Sequence, residues 1–139
     1  DQAETKTWTF ETCPKKWEGV RGLVALENAV GKGKHRLYVV TDTGIDEVNP
    51  ARWKIRGSKG DWKGTRYATT AGGYLHLLVE DVLHRVSPKS PGSRSTKKPW
   101  SGTKWICPLG DRIFLSSSGG NYLLDPKTLE GERLDPKKR

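Results

Sequence analysis

The chain has 139 residues, enough for one domain with its own core, and no run of its apolar residues approaches the roughly 18 that a membrane-spanning helix needs. One third (33%) of the residues are hydrophobic and 29% are charged, a composition that suits a folded, water-facing protein with a modest core. Lys and Arg number 25 against 16 Asp and Glu, and the resulting net charge of +9 favours polyanionic partners: acidic or sulfated glycans, anionic surfaces or nucleic acid.

Part of that excess lies in the carboxyl-terminal run 135–139, which holds Lys137, Lys138 and Arg139, and in the pair Lys97 and Lys98. Removing these five of the nine excess charges leaves about +4 on the folded body. The chain begins at Asp1, contains no methionine and shows no signal-like apolar stretch at its start, so it reads as a mature or excised form, and a secreted, extracellular location is expected.

In chain order, Trp8-Thr9-Phe10-Glu11 reads as a short strand and is followed by Cys13-Pro14. Trp17-Glu18-Gly19-Val20-Arg21 then opens a unit, with about seven extra residues around Gly31-Lys32-Gly33-Lys34-His35 before its hairpin. The hairpin is a strand at 36–40, a turn at 41–44 and a second strand at 45–48, ending in Val48-Asn49-Pro50. A fourth run follows at 52–56, which contains Trp53.

The same order then returns. Trp62-Lys63-Gly64-Thr65-Arg66 leads into a run at 64–70, strands at 74–78 and 82–86 about a turn at 79–81, and Val86-Ser87-Pro88. Trp100-Ser101-Gly102-Thr103-Lys104 leads past Cys107-Pro108 into strands at 112–115 and 121–124 about a Ser116-Ser117-Ser118-Gly119-Gly120 turn, and Leu124-Asp125-Pro126. The tryptophans of the second and third copies are 38 residues apart, and so are the prolines of all three. A fixed period of this size marks a repeat architecture.

The expectation is an all-β single domain, 1–139, of three four-stranded repeats of about 38–45 residues (approximately 8–50, 53–88 and 93–126) with a basic tail at 135–139. Four short antiparallel strands per repeat describe a β-propeller blade. The hairpin followed by an apolar-x-Pro exit resembles the blade pattern of tectonin-like and kelch-like propeller lectins, and the resemblance implies a blade fold and sugar binding. Three blades leave open sheet edges, so two chains are expected to close a six-bladed ring as a homodimer, the strand around Trp8 supplying a closing contact. The alternative is a β-trefoil, also three four-stranded units, which needs no partner.

Candidate site residues follow from the repeat. Arg21, Arg66 and Lys104 occupy the same place in each copy; on the first strand of a blade they would ring the central channel and attract an anion. The residues that follow them are Gly22, Tyr67 and Trp105, so two units of three carry an aromatic platform. Trp17, Trp62 and Trp100 are regular enough to be packing residues between blades, whereas Trp105 lacks a counterpart in every unit and is the first candidate for a binding ring. Cys13 and Cys107 make either one disulfide or two thiols; spacing does not decide.

His35, His76 and His84 lack metal-site spacing, and no catalytic motif is present. Asp42, Asp46, Glu47, Glu80 and Asp81 gather at two hairpin turns, where the turn preference of Asp explains them. No enzyme activity, cofactor or metal is expected. The leading expectation is a secreted, multivalent lectin that binds glycans, acidic or sulfated ones among them. The alternatives are a basic polyanion- or nucleic-acid-binding module and a protein-binding scaffold or inhibitor.

Overall fold

The computed structural model describes residues 16–29, 31–89 and 94–134, with backbone alone at 94–97. Twelve strands form three separate four-stranded antiparallel sheets among these residues. The first sheet holds β1 (Val20–Leu26), β2 (Arg36–Thr41), β3 (Gly44–Asn49) and β4 (Lys54–Lys59). The second holds β5 (Thr65–Ala71), β6 (Tyr74–Val79), β7 (Val82–Val86) and β8 (Arg94–Pro99), and the third β9 (Thr103–Leu109), β10 (Arg112–Ser117), β11 (Gly120–Leu124) and β12 (Gly131–Leu134). Each sheet pairs its strands in sequence order, the meander that fits a blade. No described strand pairs with another unit, as a trefoil's shared barrel would require.

The hydrogen-bonded units run one strand later than the repeats 8–50, 53–88 and 93–126, because the strand after each proline closes the sheet of the hairpin before it. The Trp8 strand and Cys13 lie outside the described residues, as does the 135–139 tail. The central hairpins are also tighter than the sequence suggests. Thr41 pairs with Gly44, Val79 with Val82 and Ser117 with Gly120, so each turn is two residues, and Ser116 and Ser117 belong to a strand.

The Trp-x-Gly opening has a local cause. Gly19, Gly64 and Gly102 have φ of 68°, 92° and 75°, a region glycine enters without a Cβ clash, and this turns the chain into the first strand. Their carbonyls accept from the amides of Asp42, Glu80 and Ser118 at the hairpin tip of the same sheet. The threonine hydroxyls of Thr65 and Thr103 donate back to the carbonyls of Trp62 and Trp100, both at 2.6 Å, which satisfies two buried hydroxyls.

Two cores lie in the seams between sheets. Val24, Tyr38, Val40 and Ile45 of the first sheet meet Leu75, Leu77 and Val86 of the second, with Trp62 fully buried among them. Leu78, Leu83 and Ala71 of the second sheet meet Ile113, Leu115, Leu124 and Leu129, with Trp100 packed at the margin. Alternation along each strand explains this arrangement: Leu75 and Leu77 face one neighbour while Leu78 faces the other. The first strands β1, β5 and β9 touch in succession, β1 to β5 and β5 to β9, so they are the inner strands of the stack.

The repeat tryptophans take equivalent third-strand partners 38 residues apart. Trp17 donates its Nε1–H to Asp46 Oδ2 at 2.6 Å, Trp62 meets the His84 ring edge-on at 5.9 Å, and Trp100 lies 5.0 Å from the ring of Tyr122. Trp62 and Trp100 therefore pack in the seams, while Trp17 sits half-buried beyond the first sheet, at a cavity of about 370 Å³ lined by Lys16, Asp46, Ser58 and Lys59 among others.

Candidate site at the inner seam of the second and third sheets

Arg21, Arg66 and Lys104 share one backbone device. The register of each inner strand against its neighbour slips at these residues, between Val20 and Gly22, between Thr65 and Tyr67, and opposite Ser116 and Ser117. Each basic residue is thus the extra residue of a β-bulge, which re-aims its side chain relative to the regular pleat.

The bulge points the first two at acids on the hairpin tips. Arg21 Nε lies 2.5 Å from Asp42 Oδ1, and Arg66 Nη1 lies 3.4 Å from Asp81 Oδ1 and 3.3 Å from the Glu80 carbonyl it donates to. The Arg21 hydrogen bond, reinforced by its charge, holds the Asp42 carboxyl below the usual carboxylate range. In the third sheet the tip is Ser118-Gly119, so the acid is missing, and among the described residues Lys104 makes no ion pair. Two of the three expected ring cations are therefore paired with acids of their own sheets.

Arg66, Tyr67, Lys104 and Trp105 come together where β5 meets β9. Arg66 Nη2 donates to the Thr103 carbonyl at 2.7 Å, and the Tyr67 hydroxyl donates to the Lys104 carbonyl at 2.6 Å. The Tyr67 and Trp105 rings are 5.8 Å apart at 52°, and the Arg66 guanidinium lies 5.7 Å from the Tyr67 centroid. Trp105 remains 64% exposed. The result is a fixed, tilted pair of rings, one of them open to solvent, with a guanidinium beside it.

Arg21 is not part of this cluster. Gly22 stands where the other units carry Tyr67 and Trp105, and a Cβ there would lie 2.8 Å from Ala68 Cβ, so the first seam closes too tightly for a ring. The described residues thus form one aromatic site per chain at this level. Cys107 is exposed on β9, while Cys13 lies outside the described residues.

His76 and His84 serve structure. His76 opposes Arg85 and His84 opposes Leu77, so the two face opposite sides of their sheet. His76 Nε2 donates to the Pro126 carbonyl at 2.7 Å, joining the second sheet to the third, and burial pushes its pKa down to about 4. Among the described residues no group of three His, Cys, Asp or Glu is placed to hold a metal. No helix there is long and apolar enough to cross a membrane.

Sequence reasoning treated Asp42 and Asp81 as turn formers and so missed them as the partners of Arg21 and Arg66. It also missed Asp46, His84 and Tyr122 as the tryptophans' partners, although their 38-residue spacing was present to be found.

No family model matches the chain, and no curated protein does. Two solved structures are similar in fold. Both are extracellular domains of B. thetaiotaomicron BT4673, described in one as a one-component and in the other as a hybrid two-component system. The first has a TM-score of 0.53 at 20% identity over 75% of this chain, the second 0.55 at 18% over 80%. The chain spans only 15% and 16% of those chains. At such identities the likeness is one of fold, and it supports an all-β stack of repeated sheets.

Proposed function

We propose that this chain is an extracellular carbohydrate-binding protein whose binding platform is the Tyr67–Trp105 pair. The observation that carries the reading is the large exposed indole of Trp105, held against Tyr67 beside the Arg66 guanidinium. A ring face fixed by neighbours loses little conformational entropy on stacking against a sugar, and a guanidinium at its edge suits an acidic or hydroxyl-rich one. The extracellular assignment is supported by the solved domains of similar fold, both of them extracellular.

With one such platform per chain, multivalency comes from assembly. Two chains closing a six-bladed propeller lectin would present two platforms and raise avidity without any new contact. Tyr67 holds the corresponding place one sheet earlier and keeps part of its surface open although a sheet packs beside it, so ring closure and an accessible Trp105 are compatible.

The test is glycan-array screening followed by titration of the best ligand. Binding is expected to fall about tenfold or more in Trp105→Ala and to change little with salt. An array that stays blank at high protein concentration overturns the reading. Binding that collapses with added salt and is equally strong to duplex DNA favours the nucleic-acid alternative.

A further inference from the structure

The extra loop of the first unit is not needed by the fold, since the second and third sheets are built without it. Its described residues are nonetheless tied to one another by hydrogen bonds. Asn28 has φ of 56°, and its Oδ1 accepts from the Gly33 amide at 2.6 Å while its own amide donates to His35 Nδ1 at 3.2 Å. The Lys34 amide donates to the Gly31 carbonyl at 2.9 Å. Because Nδ1 accepts, the remaining ring N–H of His35 is Nε2, on an exposed side chain.

This loop forms one wall of a cleft of about 370 Å³, lined by Lys34, His35, Arg36, Asn49 and Arg52 with the Gly33 backbone. Segments 27–36 and 47–56, which make this edge of the sheet, hold six basic residues against two acidic ones, a net of +4. One of those acids, Glu47, is buried and already neutralised by Arg56 at 2.9 Å and Arg36 at 3.8 Å. The other, Glu27, is exposed. A cationic cleft with its backbone held in place and no carboxylate among its lining residues attracts a compact anion.

We infer that this cleft binds a sulfate or phosphate monoester carried on a sugar unit, at a site separate from the Tyr67–Trp105 platform. A volume of this size suits one esterified monosaccharide. The cleft offers charge and donors but no Trp, Tyr or Phe among its lining residues on which a single-stranded base would stack, which disfavours nucleic acid. Lys34 and Arg52 are exposed and free to point at the ester oxygens, and His35 Nε2–H adds a further donor.

The experiment is calorimetric titration of the full chain with a sulfated heparin-derived oligosaccharide, with the same oligosaccharide desulfated, with an inositol phosphate and with duplex DNA. The sulfated oligosaccharide is expected to bind with a clear salt dependence, and the desulfated one not to bind. Binding of the inositol phosphate as well indicates that the ester itself is the recognised group, whereas its absence assigns the source to sulfated glycan. The Lys34→Glu/Arg52→Glu double variant, both substitutions on exposed side chains, is expected to weaken binding about tenfold or more with an unchanged melting temperature. Trp105→Ala is expected to leave this binding within about twofold, because the platform lies on another strand set. Wild-type affinity in the double variant, DNA bound as tightly as the sulfated sugar, or no binding of any probe overturns the inference. Loss in Trp105→Ala alone would instead place the ester at the platform, which overturns a separate site while leaving the lectin reading intact.

Discussion

At the scale of single residues, chemistry depends on what the bulge and the seam do to a side chain. Arg66 and Lys104 hold equivalent places, yet Arg66 bridges to the next sheet and to Asp81 while Lys104 offers only its carbonyl to Tyr67. Trp105 is exposed, so Trp105→Ala should remove glycan binding while the thermal midpoint stays put, which a paired titration and melt will show. His76 gives a second residue-scale prediction. Its pKa of about 4 in the fold lies below its ordinary 6.5, so between these values the unfolded chain takes up a proton that the fold refuses. Stability is complete above pH 6.5 and declines toward pH 4, by roughly 3 kcal/mol from this residue. Denaturant melts across that range should show the decline in the native chain and a flatter profile in His76→Gln, which keeps an amide donor for Pro126 but does not titrate. Equal slopes in the two would rule out His76 as the cause.

At the scale of elements, each sheet is opened by a local turn beside a tryptophan ring, buried at Trp62 and half-buried at Trp17 and Trp100. Gly64 has φ of 92° and faces Glu80 Cγ at 3.2 Å from an added Cβ, so Gly64→Ala should cost about 1–2 kcal/mol in chemical denaturation. Trp62 fills the first seam completely, and Trp62→Ala should cost about 3–5 kcal/mol. Trp17→Ala, at the half-buried copy of the same position, should cost clearly less, and a loss as large as that of Trp62 would show that its far side is packed. The strand pattern and the places of the hairpin turns were largely readable, since alternation and turn chemistry are local, but the turns are two residues long where three to five were expected. The bulges were not, because a register slip is a relation between two strands.

At the scale of the molecule, the stack ends in open faces. The third sheet exposes Trp105, Leu109 and Leu134, with Leu109 at 55%, and β1 exposes Val20 and Leu23, the latter at 64%. In both internal seams the corresponding faces are buried against a neighbouring sheet. A second chain that continues the stack would cover Leu109, Leu134, Val20 and Leu23 while leaving Trp105 part-open, as Tyr67 is at the internal seam, so light scattering should give a mass twice that of one chain, and Leu109→Glu should return it to a single-chain mass. A single-chain mass for the native protein at high concentration would remove the six-bladed ring and leave one platform per particle.

Taken alone, the amino-acid order determined the all-β class, the 38-residue period and the Trp-x-Gly residues that open each sheet, because those follow from backbone preferences and alternation within a few neighbouring positions; which strand closes each sheet it did not. It also placed Arg66, Tyr67, Lys104 and Trp105 on a short list. Only the tertiary structure decided that these four meet, that Arg21 does not join them, and that Lys34 and Arg52 share a cleft. Such meetings join residues far apart in the chain, and they depend on strand register and on how closely two sheets approach, which Gly22 against Ala68 settles in one seam and Tyr67 against Trp105 in the other.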